Sequence, residues 1–191
     1  MTRMPVLAFS GSLRGGSLNS ALLILAERAA PQVHFFGAEL IADLPLFNPD
    51  LDGAPAGVPA SVRRFRELAR AAQAAVIASP EYVHAPSGVT KNALDWLSGC
   101  GALDGKPTLL MSASLGQTGG IRGLVALFPT LQLLGAVLID PVSISRAQDR
   151  LDALGNVFDP SVYQRIEFAM DDLQTAARRT FGAPHHLEPA S

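Results

Sequence analysis

Cysteine is nearly missing from this sequence: Cys100 is the only one in 191 residues. A lone thiol excludes an internal disulfide and a cysteine-rich zinc site, and it suits a reducing, cytoplasmic setting, the location expected here. Net charge is also scarce, because fifteen basic residues against seventeen acidic ones leave a formal charge of −2. Without a concentrated basic run, that balance offers no nucleic-acid surface. His34 falls in a strand and His185 and His186 in the tail, with no suitably spaced cysteine or carboxylate, so no metal site is expected. Long hydrophobic runs are absent as well. Residues 124–139 are interrupted by Pro129, Gln132 and Gly135 and are too short for a membrane span. The apolar run from Pro5 to Phe9 has strand length, not the length of a signal-peptide core. No repeat or low-complexity linker divides the chain. One domain is expected over residues 1–182, with a disordered tail over 183–191.

What is present is a hydrophobic content of 48%, enough to fill the core of one α/β domain. Val6-Leu7-Ala8-Phe9 reads as a buried strand, and Ala21, Leu22, Leu25 and Ala29 then recur at helical spacing. Further strands are expected at Val33 to Phe36, Ala74 to Ala78, Thr108 to Ser112 and Ala136 to Ile139. Helices are expected at Ser61 to Ala72, through Lys91 to Leu97, up to about Leu134, and from Ser161 to Phe181. Arg63, Arg64, Arg66 and Arg70 read as a solvated helix face. The proline-rich stretch from Asp43 to Pro59 reads as an extended, ordered loop whose Leu44, Leu46 and Phe47 pack on the body or on a partner subunit.

Alternating strands and helices imply a parallel sheet covered on both faces, and five strands suggest the doubly wound order 2-1-3-4-5. In that order a ligand lies at the carboxyl ends of strands 1 and 3, where the winding reverses. Those ends carry the two most unusual loops, residues 10–19 and 79–88. The first combines Gly11, Gly15 and Gly16 with three serines, Arg14 and Asn19 at the start of a helix. Unpaired helical N–H groups and the helix dipole favour an anion there, and Arg14 adds a charge-assisted fork. The loop lacks Gly-Lys-Ser/Thr and misses the Gly-x-Gly-x-x-Gly spacing, so it is neither a nucleoside-triphosphate loop nor a dinucleotide fingerprint. Ser17 and Asn19 could alternatively act only as helix caps, and Glu81 and Tyr82 could only shape the turn after Pro80. His84 could donate a proton or be incidental, and Cys100 could be a small packing residue or a redox thiol.

Gly11-Ser12-Leu13-Arg14 with Ser17 and Asn19, then Leu44-Pro45-Leu46-Phe47-Asn48, then Pro80-Glu81-Tyr82 and Lys91-Asn92-Ala93-Leu94-Asp95-Trp96, resemble the NADPH-dependent FMN reductase family of the flavodoxin-like superfamily. The match runs in order from residue 6 to about 140. It implies a flavodoxin-like three-layer sandwich and bound FMN reduced by NADPH or NADH, with electrons passing to a quinone, free flavin, azo dye or metal oxyanion. By position, Ser10, Ser12, Arg14, Ser17, Leu18 and Asn19 are implied to hold the FMN phosphate. Pro80, Glu81, Tyr82, Val83 and His84 are implied to line the ribityl chain and ring, and Ser114, Gly116, Gly119 and Gly120 to close the other side. Lys91 and Asp95 are implied to belong to the scaffold and subunit interface.

The sequence departs from the family pattern where an Asn usually follows Pro-Glu-Tyr and Pro-Gly precedes the Lys-Asn-Ala helix. Val83 and Ser87-Gly88 occupy those places, and Thr90 stands where an aliphatic residue is usual. The loss of the Asn is expected to remove a side-chain hydrogen bond near the flavin, which His84 partly replaces. No catalytic acid, base or nucleophile is expected, because hydride chemistry belongs to the flavin. Helix faces carrying Trp96, Leu97, Leu127, Phe128 and Leu131 are expected to be exposed and to form a homodimer or homotetramer. A flavodoxin-type electron carrier is the first alternative, although such carriers are commonly strongly acidic; a flavodoxin-like binding protein without FMN is the second.

Overall fold

The structure, a computed structural model, describes residues 3–52 and 57–182. The expected tail, residues 183–191, lies outside the described residues, as do residues 53–56 of the proline-rich loop.

Strand β1 (Met4–Ser10) leads into helix α1 (Leu18–Ala29) and strand β2 (Val33–Phe36). A short helix α2 (Pro49–Asp52) and helix α3 (Ala60–Ala71) precede β3 (Ala74–Ala78). Two-residue strands β4 (Glu81–Tyr82) and β5 (Ala85–Pro86) form a hairpin before α4 (Gly88–Leu97). Then come β6 (Pro107–Ala113), α5 (Ile121–Leu133), β7 (Val137–Ile144) and α6 (Pro160–Phe181). The sheet order is β2-β1-β3-β6-β7 with every pairing parallel, so the expected doubly wound topology is realised once the hairpin is set aside.

Side chains alternate across the pleat and sort the core into two layers. Val6, Ala8, Val76 and Met111 pack with Leu22 and Leu25 of α1 and Ile166, Met170 and Leu173 of α6. Leu7, Phe9, Ile77 and Leu110 pack on the opposite face with Phe65 of α3, Leu94 of α4 and Leu127 of α5. The phenyl rings of Phe9 and Phe65 meet edge to face, 6.0 Å apart.

β7 is longer than expected and forms an edge of the sheet. Leu109 pairs with Ile139 but Met111 with Val142, so β7 holds one extra residue opposite β6. That bulge accommodates Pro141, which lacks the N–H of a regular ladder.

Two expectations are corrected. Trp96, Leu97, Leu127 and Leu131 are buried and Phe128 half-buried, all within the layer between α3, α4, α5 and the sheet. They fill this chain's own core, with only Phe128 keeping part of its side chain at the surface. Arg66 is not on the solvated face with Arg63, Arg64 and Arg70. Its Nη1 and Nη2 reach the Asp52 carboxylate at 2.7 and 3.2 Å, and its Nε donates to the Trp96 carbonyl at 2.6 Å. The hydrogen bonds from Arg66 outweigh partial desolvation and hold the Asp52 carboxyl below its ordinary range.

The proline-rich loop is ordered where it is described. Asn92 accepts from the N–H of Phe47 at 2.7 Å and donates to the Pro45 carbonyl at 3.0 Å, while Trp96 Nε1 donates to the same carbonyl at 2.7 Å. Phe47 stacks edge-on against Trp96, leaving Leu46 exposed at the tip. Among the described residues, no helix is long and apolar enough to cross a membrane.

Candidate functional site

The carboxyl ends of β1, β3 and β6 are neighbours, because Ser10 pairs with Ala78 and Ala78 with Met111. Three loops therefore emerge side by side at the point where the sheet reverses its winding.

The first loop begins at Gly11, whose N–H donates to the Ala78 carbonyl at 2.8 Å. A Cβ there would lie 1.9 Å from Thr90 Oγ1, so only glycine lets the chain pass this close to α4. Ser10 Oγ accepts from Ser12 N–H at 3.2 Å, after which Leu13, Arg14, Gly15 and Gly16 swing into solvent. Ser17 caps α1, its hydroxyl accepting from Ser20 N–H. Among the described residues, the backbone N–H groups of Leu13, Arg14, Gly15, Gly16 and Ser17 have no protein acceptor. Arg14 is exposed and makes no ion pair among them. The next two positions turn away: Leu18 packs against the α1–α6 core, and the amide of Asn19 bonds at both ends to the backbone of Ala113.

The second loop opens with Ser79 and buried Pro80 and carries the β4–β5 hairpin. Its two-residue turn holds Val83 at φ 52° and His84 at φ 60°, both left-handed. Tyr82 is half-exposed and Val83 fully so. Glu81 Oε2 accepts from Gly123 N–H in the first turn of α5 at 3.2 Å, and His84 Nδ1 lies 3.1 Å from Glu81 Oε1. Burial pushes the Glu81 carboxyl up, but hydrogen bonds from His84 and Gly123 prevail and hold it below its ordinary value. The carboxylate is thus engaged at the helix start. Arg122 Nη1 also approaches His84 Nδ1, at 3.1 Å, and brings a cation to the hairpin.

The third loop follows β6. Ser114 Oγ accepts from Gly116 N–H at 3.2 Å. Gly119 and Gly120 have φ 65° and 82°, and a Cβ on Gly120 would fall 2.1 Å from Ser112 Oγ. That Ser112 hydroxyl is buried and has no partner among the described residues.

Beneath the first two loops lies a feature that motif reading missed. Ser79 Oγ is 2.9 Å from Thr90 Oγ1, Thr90 Oγ1 is 3.0 Å from Ser87 Oγ, and Ser87 Oγ donates to the Gly11 carbonyl at 2.7 Å. The signal available in the sequence was the pair of departures, Ser87 and Thr90, at neighbouring turns of one helix start. Arg122 was missed too, although its place just after Gly119-Gly120 puts it at a helix N-terminus.

Three loops carrying free amides, a cation and close-packed glycines can receive an elongated anionic ligand. The model of the family described as NADPH-dependent FMN reductase matches residues 4–149. The chain belongs to that family. It is an oxidoreductase that works with FMN and NAD(P)H. An NAD(P)H-dependent FMN reductase of Pseudomonas aeruginosa is 39% identical over 181 residues, covering 93% of this chain and 97% of that protein. A quinone reductase of Escherichia coli is 32% identical over 183 residues, covering 94% of each. Among solved structures, the flavoenzyme NAD(P)H:(acceptor) oxidoreductase FerB of Paracoccus denitrificans superposes with a TM-score of 0.80 at 27% identity, covering 92% of this reductase and 97% of that chain.

Proposed function

We propose that this reductase holds the FMN phosphate on the loop between β1 and α1 and passes electrons from NAD(P)H to a quinone-type acceptor. The observation that carries the reading is the run of backbone N–H groups from Leu13 to Ser17 with no protein acceptor among the described residues, ahead of α1 and beside Arg14. Amides at a helix N-terminus bind phosphate through oriented donors and the helix dipole. FMN held there would supply the redox chemistry, hydride acceptance from the nicotinamide and two-electron transfer to the acceptor.

The chain's residues orient and shelter. Ser17 keeps α1 capped, so the amides ahead of it keep their direction. Gly119 and Gly120, both at positive φ, let the third loop turn close against Ser112. Glu81, engaged by Gly123 and His84, fixes the hairpin against α5 and leaves half-exposed Tyr82 to meet the ring or nicotinamide through its aromatic face. The quinone class follows from the quinone reductase relatives. A cytoplasmic homodimer or homotetramer completes the reading; exposed Leu46, Val125 and Leu133 support association.

The test is an absorption spectrum of protein incubated with FMN and desalted, followed by anaerobic NADPH or NADH and then a benzoquinone. A retained flavin band that bleaches with a nucleotide and returns with the quinone is expected. A band that neither nucleotide bleaches would favour the electron carrier, and no retained band would overturn the FMN site.

A further inference from the structure

Ser79, Ser87 and Thr90 are almost completely buried, at 1%, 1% and 0% exposure. A buried hydroxyl is unfavourable unless its hydrogen bonds are made, so their protons can be counted. Ser87 gives its proton to the Gly11 carbonyl, 2.7 Å away. Its oxygen then accepts from Thr90 N–H at 3.1 Å and, at 3.0 Å, from the Thr90 hydroxyl. With that proton committed, Thr90 Oγ1 accepts from Ser79, 2.9 Å away, a shorter contact than the 3.4 Å that separates Ser79 Oγ from its other acceptor, the Pro80 carbonyl. The donors therefore run in one direction, from Ser79 through Thr90 and Ser87 to Gly11, an order in which each bond polarises the next.

The last acceptor gives this chain its meaning. The Gly11 carbonyl and Ser12 N–H belong to one peptide plane, and that N–H donates to Ser10 Oγ at 3.2 Å. The plane is held at both ends, and the loop amides from Leu13 to Ser17 follow directly from it. The missing side chain at Gly11 and the hydroxyl at Thr90 are two sides of one contact, since a Cβ would sit 1.9 Å from Thr90 Oγ1. An aliphatic residue at position 90 could not make this relay.

We propose that Thr90 is a positioning residue for the anion loop, acting through Ser87 to lock the Gly11–Ser12 peptide so that the loop amides are set before the phosphate arrives. The inference rests on the phosphate site proposed above. Preorganised donors bind an anion without having to be ordered by it, so losing the relay weakens recognition of the phosphate and not of the flavin ring.

The test compares FMN with riboflavin, which lacks the phosphate, by fluorescence titration of the wild type, Thr90→Val and Thr90→Ser. Thr90→Val is expected to weaken FMN about tenfold, the effect of roughly one well-made hydrogen bond, and to leave riboflavin within twofold. Thr90→Ser keeps the hydroxyl and is expected to restore FMN affinity. Equal losses for both flavins, or no loss for FMN, would overturn the proposal. Hydrogen exchange of the flavin-free chain provides a second readout, with faster exchange expected at residues 12–17 in Thr90→Val and no change in β3. Unchanged exchange there would overturn the relay whether or not FMN binds, whereas a wild type that binds neither flavin would overturn the phosphate site itself. Should Thr90→Val fail to fold, Ser79→Ala removes only the first donor and must shift FMN affinity and loop exchange in the same direction.

Discussion

Asn19 and Ala113 are 94 residues apart and joined by a closed pair of hydrogen bonds: Asn19 Nδ2 donates to the Ala113 carbonyl and Ala113 N–H donates to Asn19 Oδ1, each at 3.0 Å. The pair ties the first turn of α1 to the end of β6, and so fixes the first loop relative to the third. Both backbone groups are buried and would lose their partner on truncation. Asn19→Ala is therefore expected to lower the unfolding free energy of the flavin-free chain by about 2 kcal/mol in urea titrations. Asn19→Asp is expected to be worse, because its carboxylate would face the Ala113 carbonyl. A change under about 0.5 kcal/mol for Asn19→Ala would show that the pair contributes little.

Val83 reverses the usual direction of a substitution. It is 98% exposed, has φ 52°, and with His84 forms the turn of a two-residue hairpin. Such turns favour Asn or Gly, since a branched Cβ crowds the backbone in the left-handed region. The Asn often found here in the family thus suits the turn's backbone, without any need for a bond to the flavin. Val83→Asn is expected to stabilise the chain by about 1 kcal/mol, and Val83→Gly by less because of its greater unfolded-state freedom. Thermal unfolding of the flavin-free variants measures this, and a destabilised Val83→Asn would refute it.

Arg14 is the cation of the first loop and makes no ion pair among the described residues, so its contribution depends on charge. Arg14→Gln is expected to weaken FMN about tenfold while leaving riboflavin alone, and to make FMN binding less sensitive to salt. Titrations at low and high ionic strength check both effects. Equal losses for the two flavins would place Arg14 away from the phosphate.

The topology was legible because strand and helix periods alternate cleanly and the two glycine- and proline-marked loops follow strands 1 and 3. The burial of α5 was not. Leu127, Leu131 and exposed Leu133 carry the same side chain, and only the helix's placement on the sheet decides which enter the core. Asn19 reads locally as a cap or an anion ligand, since its partner Ala113 is remote in sequence. The hairpin turn was hidden because Val83-His84 lacks the Asn-Gly chemistry that announces such turns. Arg66 looked like its neighbours in a basic run until Asp52 and Trp96 closed around it.

Ser112 presents a hydroxyl to the underside of Gly120 and finds no acceptor among the described residues. An unpaired buried hydroxyl destabilises a core that an apolar atom would fill equally well. Ser112→Ala is therefore expected to raise the unfolding free energy of the flavin-free chain by about 1 kcal/mol. A loss of similar size in urea titration would mean that the hydroxyl is paired in solution.

Lys106 gives the protein an alkaline stability profile. Its Nζ is buried against the carboxyl end of α3, donating to the carbonyls of Ala69 at 2.6 Å and Arg70 at 2.9 Å. Burial lowers its pKa from 10.5 to about 8, with the nearby Cys100 acting in the opposite sense. Between those two values the unfolded chain holds a proton that the folded chain has released. Unfolding then takes up a proton, so raising the pH favours the folded state. This contribution is fully present above pH 10.5 and lost as pH falls through about 8. Lys106→Met keeps most of the aliphatic volume and removes the titration. The stability of the wild type relative to Lys106→Met is expected to rise from pH 8 to 10, as measured by urea unfolding at each pH. Parallel profiles over that range would mean that the carbonyls of Ala69 and Arg70 keep the ammonium charged despite its burial.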